Sequence, residues 1–182
     1  MTHFDAVKEF MTVMGQTVLT EPKLPTMKLA LLRYKLIEEE VNELEEALQN
    51  DDHVEIADAL SDILYVGYGA YAAFGIEPGD MEYNDGPWDN ADVLLPPVGE
   101  ARDFLTAMRS CLEQLDYGYT HDNMTIIQNS ITTLLDQAYL LAFEMGIDIY
   151  SCFTEVHSSN MSKELTQTKI DKLKFLCHTF SC

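Results

Sequence analysis

Residues 36–74 read LIEEEVNELEEALQNDDHVEIADALSDILYVGYGAYAAF, and this stretch writes two amphipathic helices whose acids lie beside the faces that should be buried. Ile37, Val41, Leu44 and Leu48 fall on one stripe of the first helix, with Glu39, Glu40 and Glu43 in a narrow arc at its edge. Ile56, Leu60, Ile63, Gly67, Ala70 and Phe74 make the stripe of the second, with Glu55, Asp58 and Asp62 on one arc beside it. If the helices pack antiparallel across the Asn50-Asp51-Asp52 turn, the two carboxylate clusters converge, and like charges repel there unless a cation lies between them. A hard divalent ion such as Mg²⁺, or Mn²⁺ in its place, is the economical occupant, because it takes carboxylate oxygens and shares its shell with phosphates.

The composition sets bounds on everything else. A chain of 182 residues with 47% apolar residues buries one sizeable core, so a single all-α domain over 1–182 is expected. The formal charge of -20 is unevenly placed: Leu36 to Ala101 carries no Lys or Arg, whereas Lys163, Lys169, Lys172 and Lys174 gather near the end. Such a surface repels a nucleic-acid polymer, while small phosphates still bind if they arrive with a metal. Cys111, Cys152, Cys177 and Cys182 form no CxxC pair and fit isolated thiols of a reducing cytosol. The amino-terminal MTHFDAVKEF has no secretory architecture and no apolar run reaches membrane-spanning length, so a cytoplasmic protein with no membrane partner is expected.

Around the central pair, residues 3–14 predict a short helix with Phe4, Val7, Phe10 and Met11 inward, ended at Gly15 and Gln16. Pro22 and Pro25 break a loop before a helix that starts near Thr26, and Asp51 or Asp52 can cap the helix after it. Gly67, Gly69, Ala70, Ala72 and Ala73 make one side of that helix small, which suits a tight bundle contact or a dimer seam. Residues 77–99 lack periodicity and contain Trp88, which predicts a loop. Two helices follow, over 100–115 and 122–144, separated by Tyr117-Gly118-Tyr119, and a last helix runs from Ile149 to about Met161 before a tail over 164–182.

Glu39-Glu40-x-x-Glu43, followed after eleven residues by Glu55-x-x-Asp58, resembles the EExxE…ExxD signature of the all-α NTP pyrophosphatase superfamily. This is the MazG-like group with dimeric dUTPases, dCTP pyrophosphatases and phosphoribosyl-ATP pyrophosphohydrolase. Phe4-x-x-Val7-x-x-Phe10, Leu32-Arg33 and the stretch 155–163, EVHSSNMSK, extend the likeness, the last being similar to the family's VHxSNMSK segment. It covers residues 1–76 and 146–163. Gly75-Ile76-Glu77 stands where the turn into that segment is expected, yet the match resumes only at Gly146-Ile147-Asp148. Residues 77–145 therefore read as an insertion. Apart from the shared Gly-Ile-acid turn the two stretches align poorly and do not read as a repeat.

The resemblance implies Mg²⁺-dependent hydrolysis of a nucleoside triphosphate, such as dUTP or another deoxynucleotide, to the monophosphate and pyrophosphate, in a homodimer or homotetramer. It implies Glu39, Glu43, Glu55 and Asp58 as a metal-binding group, with Glu40 as general base. Asp62, one turn on, is either a further ligand or a cap. Asn160 and Lys163, at i and i+3, resemble phosphate and sugar contacts. Arg33 is either a solvated partner of Glu38 or phosphate-facing, and Tyr65 either meets a base or belongs to the core. Gln16 has the donor-acceptor pair needed to read a base edge. His157, in line with Phe153 and Met161, reads as structural. Two rival readings are phosphoribosyl-ATP pyrophosphohydrolysis and a non-enzymatic acidic module that binds cations or basic partners.

Overall fold

Thr2 opens the first helix: its hydroxyl accepts from the Asp5 N–H while the Asp5 carboxylate accepts from the Thr2 N–H, a reciprocal cap for groups that a helix start leaves free. In the computed structural model, which describes residues 1–78 and 101–162, this helix is α1 (His3–Val13). It is followed by α2 (Met27–Asn50), α3 (His53–Phe74), α4 (Ala101–Thr120) and α5 (Met124–Glu144), then a last helix, α6 (149–162). No strand occurs among the described residues, and the chain is all-α. Lys163, the tail over 164–182 and nearly all of the expected 77–99 loop lie outside the described residues.

α2 and α3 form the expected hairpin. Asp51 takes a left-handed conformation (φ 53°) at the end of α2, and the Asp52 carboxylate accepts from the Val54 and Glu55 N–H groups to start α3. Ile37, Val41 and Leu44 meet Ile56, Leu60, Ile63 and Leu64 in the core, all fully buried, each contributing roughly 1.5–3 kcal/mol of transfer free energy. The connection from α1 to α2 runs along the end of α3, where Leu19 N–H donates to the Ala72 carbonyl at 2.9 Å and Lys23 N–H to that of Phe74 at 3.0 Å. The Ala72 carbonyl also accepts from the Gly75 N–H at 3.4 Å, and together these bonds serve carbonyls at the end of the helix. Gly75 closes α3 at φ 69°, and a Cβ there would stand 2.0 Å from the Glu21 carbonyl oxygen. Only glycine fits.

α4 and α5 follow the same plan, although the sequence shows no repeat there. Asp122 is left-handed (φ 50°), Asn123 caps α5 through the Ile126 N–H, and Gly146 (φ 67°) follows its end. These features stand at one offset of 71 residues, Asp51 to Asp122 and Gly75 to Gly146. Turn hydrogen bonds recur at that offset: Asp52 N–H to Ala47 O and Asn123 N–H to Gly118 O, Ile76 N–H to Tyr71 O and Ile147 N–H to Ala142 O. So do core positions, with Ile37, Val41, Leu44, Ile56, Leu60 and Ile63 answered by Met108, Leu112, Leu115, Ile127, Ile131 and Leu134, all buried. α3 packs on α5 and α2 on α4, like on like, as in an isologous pairing about a two-fold axis.

Tyr117-Gly118-Tyr119 does not separate two helices. α4 continues to Thr120, and Gly118 is there because a Cβ would lie 2.9 Å from Ile127 Cγ1 of α5, so it permits close approach instead of breaking the chain. The small side of α3 is filled in the same way. A Cβ on Gly67 would meet Leu135 Cδ2 at 2.7 Å, one on Gly69 would meet Arg33 Nη1 at 3.0 Å, and Ala70, Ala72 and Ala73 are buried. That stripe is a bundle contact inside one chain, which leaves the expected homodimer or homotetramer resting on resemblance alone. No described helix is long and apolar enough to cross a membrane.

Candidate functional site

Glu40 lies half-buried at the edge of the α2 stripe. Burial, then the charges of Asp62, Glu43, Glu39 and Asp58, push its carboxyl up to about 8. Carboxylates from α2 and α3 therefore act on one point, as the hairpin requires. Glu39, Glu43 and Asp58 are exposed, Asp62 is half-buried, and Glu55 is exposed in the first turn of α3. As the side chains stand, no three His, Cys, Asp or Glu among the described residues are arranged to hold a metal ion. The convergence is one of charge.

The donor set nevertheless suits a hard divalent ion. It consists of carboxylates alone, and every neighbouring charge named above acts on Glu40 in the same unfavourable direction, an effect that a bound cation reverses. Neighbouring acids are engaged elsewhere: Glu45 pairs with Arg109 of α4, and Glu38 accepts from the Tyr34 hydroxyl at 3.4 Å. Arg109 comes from beyond the long stretch without basic residues, and the hairpin packing alone brings it to α2.

Tyr65 stands one turn beyond Asp62 on α3 and joins the acidic arc to α6. Its hydroxyl lies 3.1 Å from His157 Nδ1 and also hydrogen-bonds the Asn160 side chain. Its ring packs edge-on to Phe10 and tilted against Phe153. Burial raises the phenol well above its ordinary range, with Asp62 adding to the effect. The tyrosine is thus both a core residue and an anchor of residues 155–162, and it brings Asn160 to the α3 side of the bundle. His157 has the structural setting that its spacing predicts.

Arg33 is not a solvated partner of Glu38. It is 5% exposed, its Nη2 donates to Gln16 Oε1 at 3.1 Å and lies 3.7 Å from Met11 Sδ. Burial lowers its pKa, and Nε has no hydrogen-bond partner. Since a guanidinium only donates, the Gln16 amide must turn its oxygen inward and its NH₂ outward. The guanidinium is spent inside the fold and would reach a substrate through Gln16.

Residues 7–84 match the phosphoribosyl-ATP pyrophosphohydrolase family. The chain is also 30% identical to an uncharacterized protein of Acanthamoeba polyphaga mimivirus, over 89% of its own length and 71% of the relative's. The chain belongs to the all-α NTP pyrophosphatase superfamily. No solved structure matches it. The span matched to this superfamily contains α2 and α3 whole, and with them every acid of the arc, while α4 and α5 lie beyond it. An NTP pyrophosphatase domain of this kind implies pyrophosphohydrolase-type chemistry.

Proposed function

We propose that the protein hydrolyses a nucleoside triphosphate to the monophosphate and pyrophosphate at the arc formed by Glu39, Glu40, Glu43, Glu55, Asp58 and Asp62. The observation that carries this reading is the half-buried Glu40, raised to about 8 by its burial and then by acids from two helices. A half-buried carboxyl raised in this way has the basicity to take a proton near neutral pH. Glu39, Glu43, Glu55 and Asp58, with Asp62 in reserve, would hold Mg²⁺, or Mn²⁺ in its place. The ion supplies charge neutralisation on the phosphates when bound.

Glu40 orients a water and accepts its proton as the water oxygen bonds the α-phosphorus. The bond from that phosphorus to the α,β-bridging oxygen breaks, and pyrophosphate leaves. Asn160, held by Tyr65, and Lys163 contact the phosphates or sugar, while Gln16, held by Arg33, turns its NH₂ toward the base. A deoxynucleotide such as dUTP is the favoured substrate, which would make the protein a cytoplasmic guardian of the nucleotide pool. The match over residues 7–84 favours a second substrate, phosphoribosyl-ATP, in the same reaction.

Pyrophosphate release is measured across the deoxy- and ribonucleoside triphosphates and phosphoribosyl-ATP, each with Mg²⁺ and with EDTA. Release only with Mg²⁺ supports the proposal, and the preferred substrate decides between its two forms. No release from any of them, with the fold intact, leaves the non-enzymatic acidic module.

A further inference from the structure

The acidic arc has a counterpart in the second half of the chain. At the offset of 71 residues that relates the hairpins, Glu39, Glu40, Glu43, Glu55, Asp58 and Asp62 are answered by Ser110, Cys111, Gln114, Ile126, Asn129 and Thr133. These six residues line one cleft of about 360 Å³ between α4 and α5. Every carboxylate has gone. Two of the replacements, Gln114 and Asn129, are the amides of the acids they stand for, so shape is kept while charge is lost.

The rest of the lining agrees with a binding cleft that no longer serves a cation. Ala107 and Ser130 complete the wall, and Ser130, buried, donates its hydroxyl to the Ile126 carbonyl at 2.8 Å. The Cys111 thiol is buried, and burial, with Asp136 adding, pushes it up to about 11, so it is a neutral wall and no nucleophile. No lining residue carries a charge at neutral pH. A metal–triphosphate has nothing there to hold it, and the volume lies near the lower bound for small-molecule sites. Two amides, with both a donor and an acceptor on each, beside hydroxyls and the apolar Ile126 and Ala107, match a flat uncharged molecule with mixed hydrogen-bonding edges.

We propose that the cleft between α4 and α5 is a second, metal-independent site that binds an unphosphorylated nucleoside or nucleobase. It shares the backbone frame of the acidic arc and has exchanged cation binding for neutral recognition. The assignment does not depend on turnover at the acidic arc.

Deoxyuridine, deoxycytidine, thymidine and adenosine are titrated into the full-length protein by calorimetry and saturation-transfer NMR, with EDTA present throughout. At least one should bind. Asn129→Leu and Ala107→Trp should each weaken that binding tenfold or more, while pyrophosphate release at the acidic arc stays within twofold of the parent. Ser110→Trp, at an exposed position, fills the same cleft and serves where Ala107→Trp does not fold. Absence of binding by all four at millimolar concentration overturns the proposal. So does binding that survives both filling variants or that requires a divalent ion.

Discussion

The hydroxyls of Tyr68 and Tyr139 meet at 3.1 Å in the middle of the bundle, and each residue holds in its own hairpin the place that the other holds in its partner. A position that touches its own counterpart lies on the axis relating the halves. Tyr139 also faces His3 Nδ1 at 2.6 Å, so the axis carries a polar chain inside an apolar core. Tyr68→Phe and Tyr139→Phe should each cost about 1 kcal/mol, and the double variant clearly less than their sum, because the hydrogen bond they share is lost only once. Denaturant titration of the three variants checks this, and strict additivity would contradict the shared bond.

The acids of the arc should divide by role. Glu40→Gln is expected to lower turnover by about 10²–10⁴-fold while leaving Mg²⁺ affinity and nucleotide binding near the parent's, since general-base contributions have that size. Asp58→Asn should weaken metal and nucleotide together. Calorimetric titration with Mg²⁺ and a non-hydrolysable triphosphate measures both. Equal loss of metal in the two variants would make Glu40 a ligand.

Glu40 also sets a pH dependence. Its carboxyl rises from 4.5 to about 8 in the folded chain, so across that interval the folded state keeps a proton that the unfolded state has released. Stability of the metal-free protein should fall as pH rises from 4.5 toward 8, and Glu40→Gln should flatten this component. Melting temperatures of the two proteins across the interval test it. A parallel pair of curves would show that Glu40 ionises normally.

Gly75 and Gly146 share a role in the two hairpins but not an environment. Alanine at Gly146 meets nothing within 4 Å and incurs only the left-handed backbone cost, about 1–2 kcal/mol. Alanine at Gly75 adds a clash with the Glu21 backbone, with the oxygen 2.0 Å from the new Cβ. Gly75→Ala should therefore be much the more destabilising, and a thermal melt that ranks them equally would mean that the connection over α3 yields freely.

The first hairpin was legible in sequence because its signals are local. Asp52 before His53 and Gly75 after Phe74 are caps that act within one turn, and the arc of Glu40 beside Ile37 and Val41 follows from helical spacing. The second hairpin was not legible as a copy. What persists there is burial and turn conformation, as in Val41 with Leu112 or Asp51 with Asp122, while most residue identities and all the arc's charges have changed. Gly118 misled for a related reason, since a glycine that breaks a helix and one that admits Ile127 look alike along the chain. Arg33 misled because its burial is decided by Gln16, Met11 and Gly69, which lie on other elements.

The pairing of like helices has a thermodynamic consequence. When two separate chains supply such halves, the catalytic one depends on protein concentration for its support and loses it on dilution. Here α3 finds α5 along the same polypeptide, at an effective concentration set by the tether and not by the cell. The supporting half is thereby freed from having to catalyse in order to be retained. Its surface can drift to another purpose while its core, from Met108 to Tyr139, goes on bracing the working half.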